Sequence, residues 1–237
     1  MNGDQLMTAN DTVRTGTAGM ETLLRIDGRQ PIDAELTARL EQACDLAEVP
    51  DGPGRLLICA TGTPEQAWTD KLTVTVVNRW ERAVRRLERI AATTTAIADG
   101  PCGGAALDVL LASDVRIGTS GASLQVPIHD GATWPGMTIF RLVRQGANAG
   151  PVRRAALFGE PIGALEALAL NLLDEVTEDS DAALASALAI QPLAGTEVAL
   201  RRQLIAEAAT VPFEEALGAH LAACDRELRR LSAGAMR

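Results

Sequence analysis

The segment richest in chemical possibility is AIADGPCGGAALDVLLASD, Ala96 to Asp114: an apolar strand, a glycine-rich turn, then an apolar helix. A strand that delivers Gly103-Gly104 to a helix start leaves the first helical N–H groups without intrahelical partners and directed outward at partial positive charge. Donors so placed stabilise the oxyanion of an enolate or a tetrahedral adduct, which can be a large catalytic effect. The same turn also serves simply to let backbones pack closely. It matches neither the G-x-x-x-x-G-K-[ST] of phosphate loops nor the G-x-G-x-x-G of dinucleotide binders. Cys102 beside the turn is the residue type for nucleophilic catalysis, but no histidine stands at a readable distance to activate it.

Whatever acts at that turn is positioned by the elements around it. Thr22 to Ile26 reads as a strand closed by Asp27-Gly28, and Asp33 as the N-cap of a helix through Leu36, Leu40 and Leu46. RLLICATG after Gly54 is a continuous apolar run, the pattern of a strand buried on both faces. From Leu72, the residues Leu72, Val76, Trp80, Val84, Leu87 and Ile90 recur at three and four, opposite Arg79, Arg82, Arg85, Arg86 and Glu88. That spacing predicts an amphipathic helix with Trp80 in the core. TTTAIA is the next strand, and Asp99-Gly100 turns the chain. VRIG and ASLQV follow as short apolar segments. PIHDGATWPG is a loop in which Gly131, Pro135 and Gly136 preclude regular structure, and from Met137 the chain reads almost wholly helical.

A chain of 237 residues buries a sizeable core as one larger domain. With 3% aromatic residues and no tyrosine, that core rests on Ala, Leu, Val and Ile. Residues 1–20 are polar and predict a flexible tail, 21–190 the core, and 191–237 a C-terminal helical region of the same domain. A formal net charge of -9 argues against nucleic acid or anionic membrane as a partner, so an anionic ligand needs a local arginine. Arg25, Arg29, Arg79, Arg144 and Arg229 are candidates that spacing does not separate. Cys44, Cys59, Cys102 and Cys224 are scattered, without a C-x-x-C pair, so neither a metal site nor a disulfide framework is expected. No apolar leader and no stretch near the roughly 20 apolar residues of a spanning helix are present, which predicts a cytoplasmic location.

The glycine-rich segment resembles the signature of the crotonase family of enoyl-CoA hydratases and isomerases. That family reads roughly PVIAAVNGxAxGGGxELALACD where this chain has TTAIADGPCGGAALDVLLASD. The likeness continues with Trp134 to Gly136 and Arg141-Leu142, where the family has I-P-G and a later R-L, and with Val152 to Val176. It spans about residues 21 to 190. The resemblance implies an α/β fold, a crotonase-like spiral of β-β-α units with a helical C-terminal region. It also implies a homo-oligomer, trimer or hexamer, and an acyl-coenzyme A substrate whose thioester carbonyl sits on two backbone N–H groups. Coenzyme A enters as part of the substrate, with no permanently bound cofactor.

By position in this pattern, Ala105 N–H matches one oxyanion donor, with Gly104 beside it on the substrate. The other donor's loop reads TGTPEQAWTDKL, lacks the family's glycine, and places that donor only near Ala67 to Thr69. Asp108, three residues past the first donor, stands where hydratases carry their first glutamate. In an apolar helix its pKa rises toward neutrality, which acid/base work favours. An aspartate in a first helical turn equally favours the macrodipole and caps N–H groups. The second glutamate follows a proline in the family; here the pair is Pro127-Ile128, and Ile128 cannot move a proton. His129 and Asp130 come next and substitute if the loop is displaced by a residue, although a loop histidine is commonly just solvated. Trp134 is a pocket wall or core. Ile128, His129 and Trp134 complete the expected substrate contacts.

LRIDGRQPI, VNRWERAVRRLERI, CGGAALDVLLASD, TWPGMTIFRLVRQ and LFGEPI are similar to crotonase-like proteins that work beside a type III polyketide synthase. There malonyl-CoA is condensed toward 3,5-dihydroxyphenylacetyl-CoA, a source of dihydroxyphenylglycine for glycopeptide antibiotics. This implies the synthase and sister crotonase proteins as partners. Three functions stay open: a CoA-thioester dehydratase or isomerase using Asp108, an interaction protein that has lost the two-carboxylate machinery and stimulates the synthase, or a binding-only crotonase homologue of an unrelated pathway.

Overall fold

In the computed structural model, which describes residues 13–15, 21–49, 54–65, 68–146, 149–193, 196–208 and 210–235, β1 (Val13–Thr15) runs antiparallel to β2 (Glu21–Asp27). A tail was expected over residues 1–20; Val13–Thr15 instead joins the sheet edge, because backbone pairing asks for no apolar pattern, and the rest of that span lies outside the described residues. Then come α1 (Ala34–Ala47), β3 (Arg55–Gly62), α2 (Val74–Leu87), β4 (Thr93–Gly103), α3 (Ala105–Leu111) and β5 (Val115–Thr119). The Asp33 carboxylate accepts the Leu36 N–H at 2.8 Å, which caps α1 as its sequence predicts.

The second half holds β6 (Ser123–Gln125), β7 (Ile128–His129), β8 (Ala132–Thr133), α4 (Met137–Gln145) and α5 (Gly150–Phe158). It continues with β9 (Ile162–Gly163), α6 (Ala164–Ala169), β10 (Glu175–Thr177), α7 (Ser180–Ala189), α8 (Thr196–Ala208) and α9 (Phe213–Ala235). The sheet order is β1-β2-β3-β4-β5-β10, parallel from β2 onward, with β6 on the far end of β4 and β9 on β6. Among the described residues no helix is long and apolar enough to cross a membrane.

Successive residues of the central strands face opposite sides. Leu24, Ile26, Leu56, Ile58, Ala96 and Ala98 pack toward α1, α2 and α3, while Leu23, Leu57, Ile97 and Ile117 meet Ala183 and Ala187 of α7. Both faces are covered, which is why RLLICATG shows no polar alternation.

Three local expectations change. Asp99-Gly100 is a bend inside one long strand: Thr95 to Ala98 pair with β5, Pro101 to Gly103 with β6, and Gly100 has φ +74°. The stretch after Pro127 contains a hairpin, because Asp130 (φ 48°) and Gly131 (φ 78°) supply the two positive-φ residues of a tight turn. The helical second half includes β9 and β10, two- and three-residue strands too short to carry a periodic signal.

Candidate active site

Close backbone approach builds the turn ahead of α3. A Cβ on Gly28 would stand 2.3 Å from the carbonyl oxygens of both Gly62 and Gly103, so the ends of β2, β3 and β4 meet where a side chain has no room. Gly104 has φ +53° and ψ -130°, and its Cβ would meet Pro64 Cγ at 2.6 Å. Gly104→Ala is therefore expected to lose about 1–3 kcal/mol of stability through backbone strain alone; a thermal melt indistinguishable from that of the parent protein would refute this.

α3 begins at Ala105, whose N–H has no intrahelical partner. All seven of its residues are buried, Asp108 included at 4% exposure. Asp108 Oδ2 accepts the Trp80 indole N–H at 2.8 Å, and Oδ1 accepts the Thr138 hydroxyl at 2.5 Å. Arg141, 6% exposed, stands behind them with Nη1 at 3.6 Å from Asp108 Oδ1. The same guanidinium donates from Nη2 to Glu81 Oε2 and from Nε to Glu88 Oε1, both at 2.9 Å. One buried cation thus faces three carboxylates. Burial raises the Asp108 carboxyl above the usual range, outweighing the opposing pull of Arg141, Thr138 and Trp80. Burial also raises Glu81, with Asp108 adding to it. Burial pushes Glu88 the same way, but its hydrogen bonds from Arg141 and Arg85 bring it below the usual range.

A narrow cavity of about 20 Å³ lies between these groups, lined by Trp68, Trp80, Glu81, Gly104, Asp108, Pro127, Trp134 and Thr138, with aliphatic walls from Ile32, Leu72 and Val77. That is room for one water, so an acyl group enters only if these walls move apart. Trp68 and Trp134 meet edge to face at 5.2 Å and 74°, and the Trp68 indole N–H is buried without a partner among the described residues.

The structure brings Gly104, Asp108 and Trp134 to this cavity, with Ala105 next in the chain. Ile128 and His129 lie outside it. The hairpin turns Ile128 outward, 46% exposed, against Gly159, and His129 meets Thr69 Oγ1 at 3.1 Å and Asp130 at 3.3 Å. Pro127, next to Ile128 in the chain, does line the cavity. Of the Ala67 to Thr69 span, Ala67 lies outside the described residues. Cys102 is buried, its thiol pushed up to about 12 by burial and donating to the Ala60 carbonyl, which suits a core residue and not a nucleophile. The candidate arginines do not converge: Arg29 grips Asp27, Arg229 pairs with Asp225, and Arg144 reaches the Ala206 carbonyl.

Sequence reasoning passed over Trp80, Glu81, Thr138 and Arg141. Trp80 did fall on the apolar stripe, but nothing in that stripe announces that its N–H holds a carboxylate. Glu81 and Arg141 were visible only as a charge beside a stripe and an R-L pair.

No family model matches this sequence. A protein named enoyl-CoA-hydratase from Amycolatopsis orientalis is 49% identical over 211 residues, covering 89% of this chain and 97% of that protein. A mitochondrial Delta(3,5)-Delta(2,4)-dienoyl-CoA isomerase of Dictyostelium discoideum is 24% identical over 106 residues, 45% of this chain and 36% of that protein. Among solved structures, an enoyl-CoA hydratase/isomerase from Marinobacter aquaeolei has TM-score 0.74 at 16% identity, covering 90% of each chain. An enoyl-CoA hydratase from Polaromonas sp. JS666 has TM-score 0.73 at 18% identity, covering 92% of each. The fold is thus of the crotonase class, a mostly parallel sheet with helices on both faces and a helical C-terminal region. The chain belongs to the enoyl-CoA hydratase/isomerase, or crotonase, family.

Proposed function

We propose that the protein acts on an acyl-CoA thioester as a dehydratase, hydratase or isomerase, with Ala105 N–H on the thioester oxygen and Asp108 as an acid/base carboxylate. The observation that carries this reading is Asp108 itself, a buried carboxyl of raised proton affinity on the wall of a cavity shared with Gly104. A carboxylic acid shifted toward neutral pH is suited to both halves of a proton transfer. Thr138 and Trp80 hold its two oxygens in place.

The acyl group we infer is a polyketide intermediate, dehydrated or aromatised beside a type III polyketide synthase on the way to 3,5-dihydroxyphenylacetyl-CoA. Membership in the family and the segments from LRIDGRQPI to LFGEPI support it. The synthase and sister crotonase proteins are the partners, the cytoplasm is the location, and the protein is a homo-oligomer. Phe140, Leu157, Phe158 and Leu165, exposed on α4 to α6, support subunit contact.

The closed cavity and an isoleucine where hydratases carry the second glutamate favour a second reading, a partner that binds and stimulates the synthase without chemistry of its own. Malonyl-CoA conversion by the cognate synthase, alone, with this protein and with its Asp108→Ala variant, separates the two. Loss of stimulation by roughly 10²-fold in a folded variant is the expected result. Full stimulation by the variant moves the role to binding, and no stimulation by either protein removes the pathway.

A further inference from the structure

We propose that Glu81 of α2 is the second catalytic carboxylate of this site, removing the acyl α-proton, the part for which Ile128 has no chemistry. The inference rests on the acyl-CoA reading above.

Geometry distinguishes the two carboxylates on the cavity wall. Both Asp108 oxygens already accept a hydrogen bond, from Trp80 and from Thr138. Glu81 uses only Oε2, bound by Arg141 Nη2 at 2.9 Å; Oε1 has no hydrogen bond among the described residues. Taking a proton at Glu81 Oε1 displaces no hydrogen bond, and the side chain, 20% exposed, lines the same cavity as Asp108 and Gly104. The charged groups around Glu81 are Asp108 of α3, Arg141 of α4 and Glu88 of its own helix. Arg141 fixes the carboxylate, while burial and the neighbouring Asp108 raise its proton affinity.

The step balances without a co-reactant. Glu81 Oε1 takes the α-proton, the C–H electron pair becomes the Cα–C1 π bond, and the carbonyl pair moves onto the thioester oxygen beside Ala105 N–H. In deuterated water the carboxyl exchanges its proton, and return of a deuteron to Cα with the reverse electron movement regenerates the thioester.

Deuterium incorporation into acetyl-CoA, followed by NMR in D2O, tests this half-reaction without the physiological acyl group. Alongside it, calorimetry measures acetyl-CoA affinity for the full chain and for Glu81→Gln and Glu81→Asp. Glu81→Gln keeps an amide oxygen for Arg141, and Glu88 still holds the guanidinium, so fold and affinity persist. We expect its exchange rate to fall by roughly 10²-fold or more and the rise of rate with pH to disappear, with partial recovery in Glu81→Asp. Parental exchange in Glu81→Gln overturns the role of Glu81 and leaves the acyl-CoA reading intact. Binding without exchange in the parent protein overturns the catalytic role in favour of a binding site. Neither binding nor exchange removes the acyl-CoA reading and this role with it.

Discussion

Replacing Arg141 by alanine is expected to cost about 3–5 kcal/mol of unfolding free energy at pH 8, read as a lower urea midpoint with an unchanged slope. The guanidinium is 6% exposed and is the one cation shared by Glu81, Glu88 and Asp108, so its removal leaves three carboxylates facing one another in a poorly solvated space. The pH dependence has a definite sign. Without Arg141 each carboxyl loses an attraction that favoured its charged form, so its folded pKa rises relative to the unfolded chain. Groups with raised folded pKa contribute stability that is present at low pH and lost as pH climbs through that raised value. The deficit should therefore grow between pH 5 and pH 8. A loss below about 1 kcal/mol, or one flat in pH, would show that solvent and not Arg141 compensates these charges.

Asp108→Asn should move activity and stability in opposite directions. The amide oxygen accepts the Trp80 N–H as before, and the amide NH2 donates to Thr138 Oγ1, so the packing survives. Turnover of an acyl-CoA thioester should fall by roughly 10²-fold to 10⁴-fold, the range for a lost acid/base group. Burial, the largest influence on the Asp108 carboxyl, raises its pKa. Its contribution to stability is therefore complete below the unfolded pKa and lost as pH rises through the folded one. Asparagine carries no such loss. The variant should match the parent protein near pH 4 and melt at an equal or higher temperature at pH 8. A variant that is destabilised more at pH 8 than at pH 4 would mean that the Arg141 attraction outweighs burial. Asp108 would then belong to a structural ion pair.

The opening half of the chain was legible because its signals are local. The Asp33 cap, the apolar run of β3 and the three-and-four stripe of α2 each encode one element within its own stretch of chain. The hairpin at Asp130-Gly131 was missed although Asp-Gly is a turn signal, because its strands are two residues long and have no alternation to read. The bend at Gly100 was misread because β4 continues past it onto a different neighbour, a pairing set by β6 some 20 residues later.

The candidate site divides in the same way. Sequence by itself determined the α/β class, the glycine turn into α3, and a carboxylate one turn into a helix with no polar neighbour. Each follows from local residue types: paired glycines tolerate the positive φ of a tight turn, and ALDVLL around one aspartate reads as an apolar helix. Only the tertiary structure decided what surrounds that carboxylate. Trp80, Glu81, Thr138 and Arg141 come from α2 and α4, between 27 and 33 positions away from Asp108 along the chain. They meet it because packing against one face of the sheet brings three helices together, and periodicity records which face of a helix is buried but not which partner it is buried against.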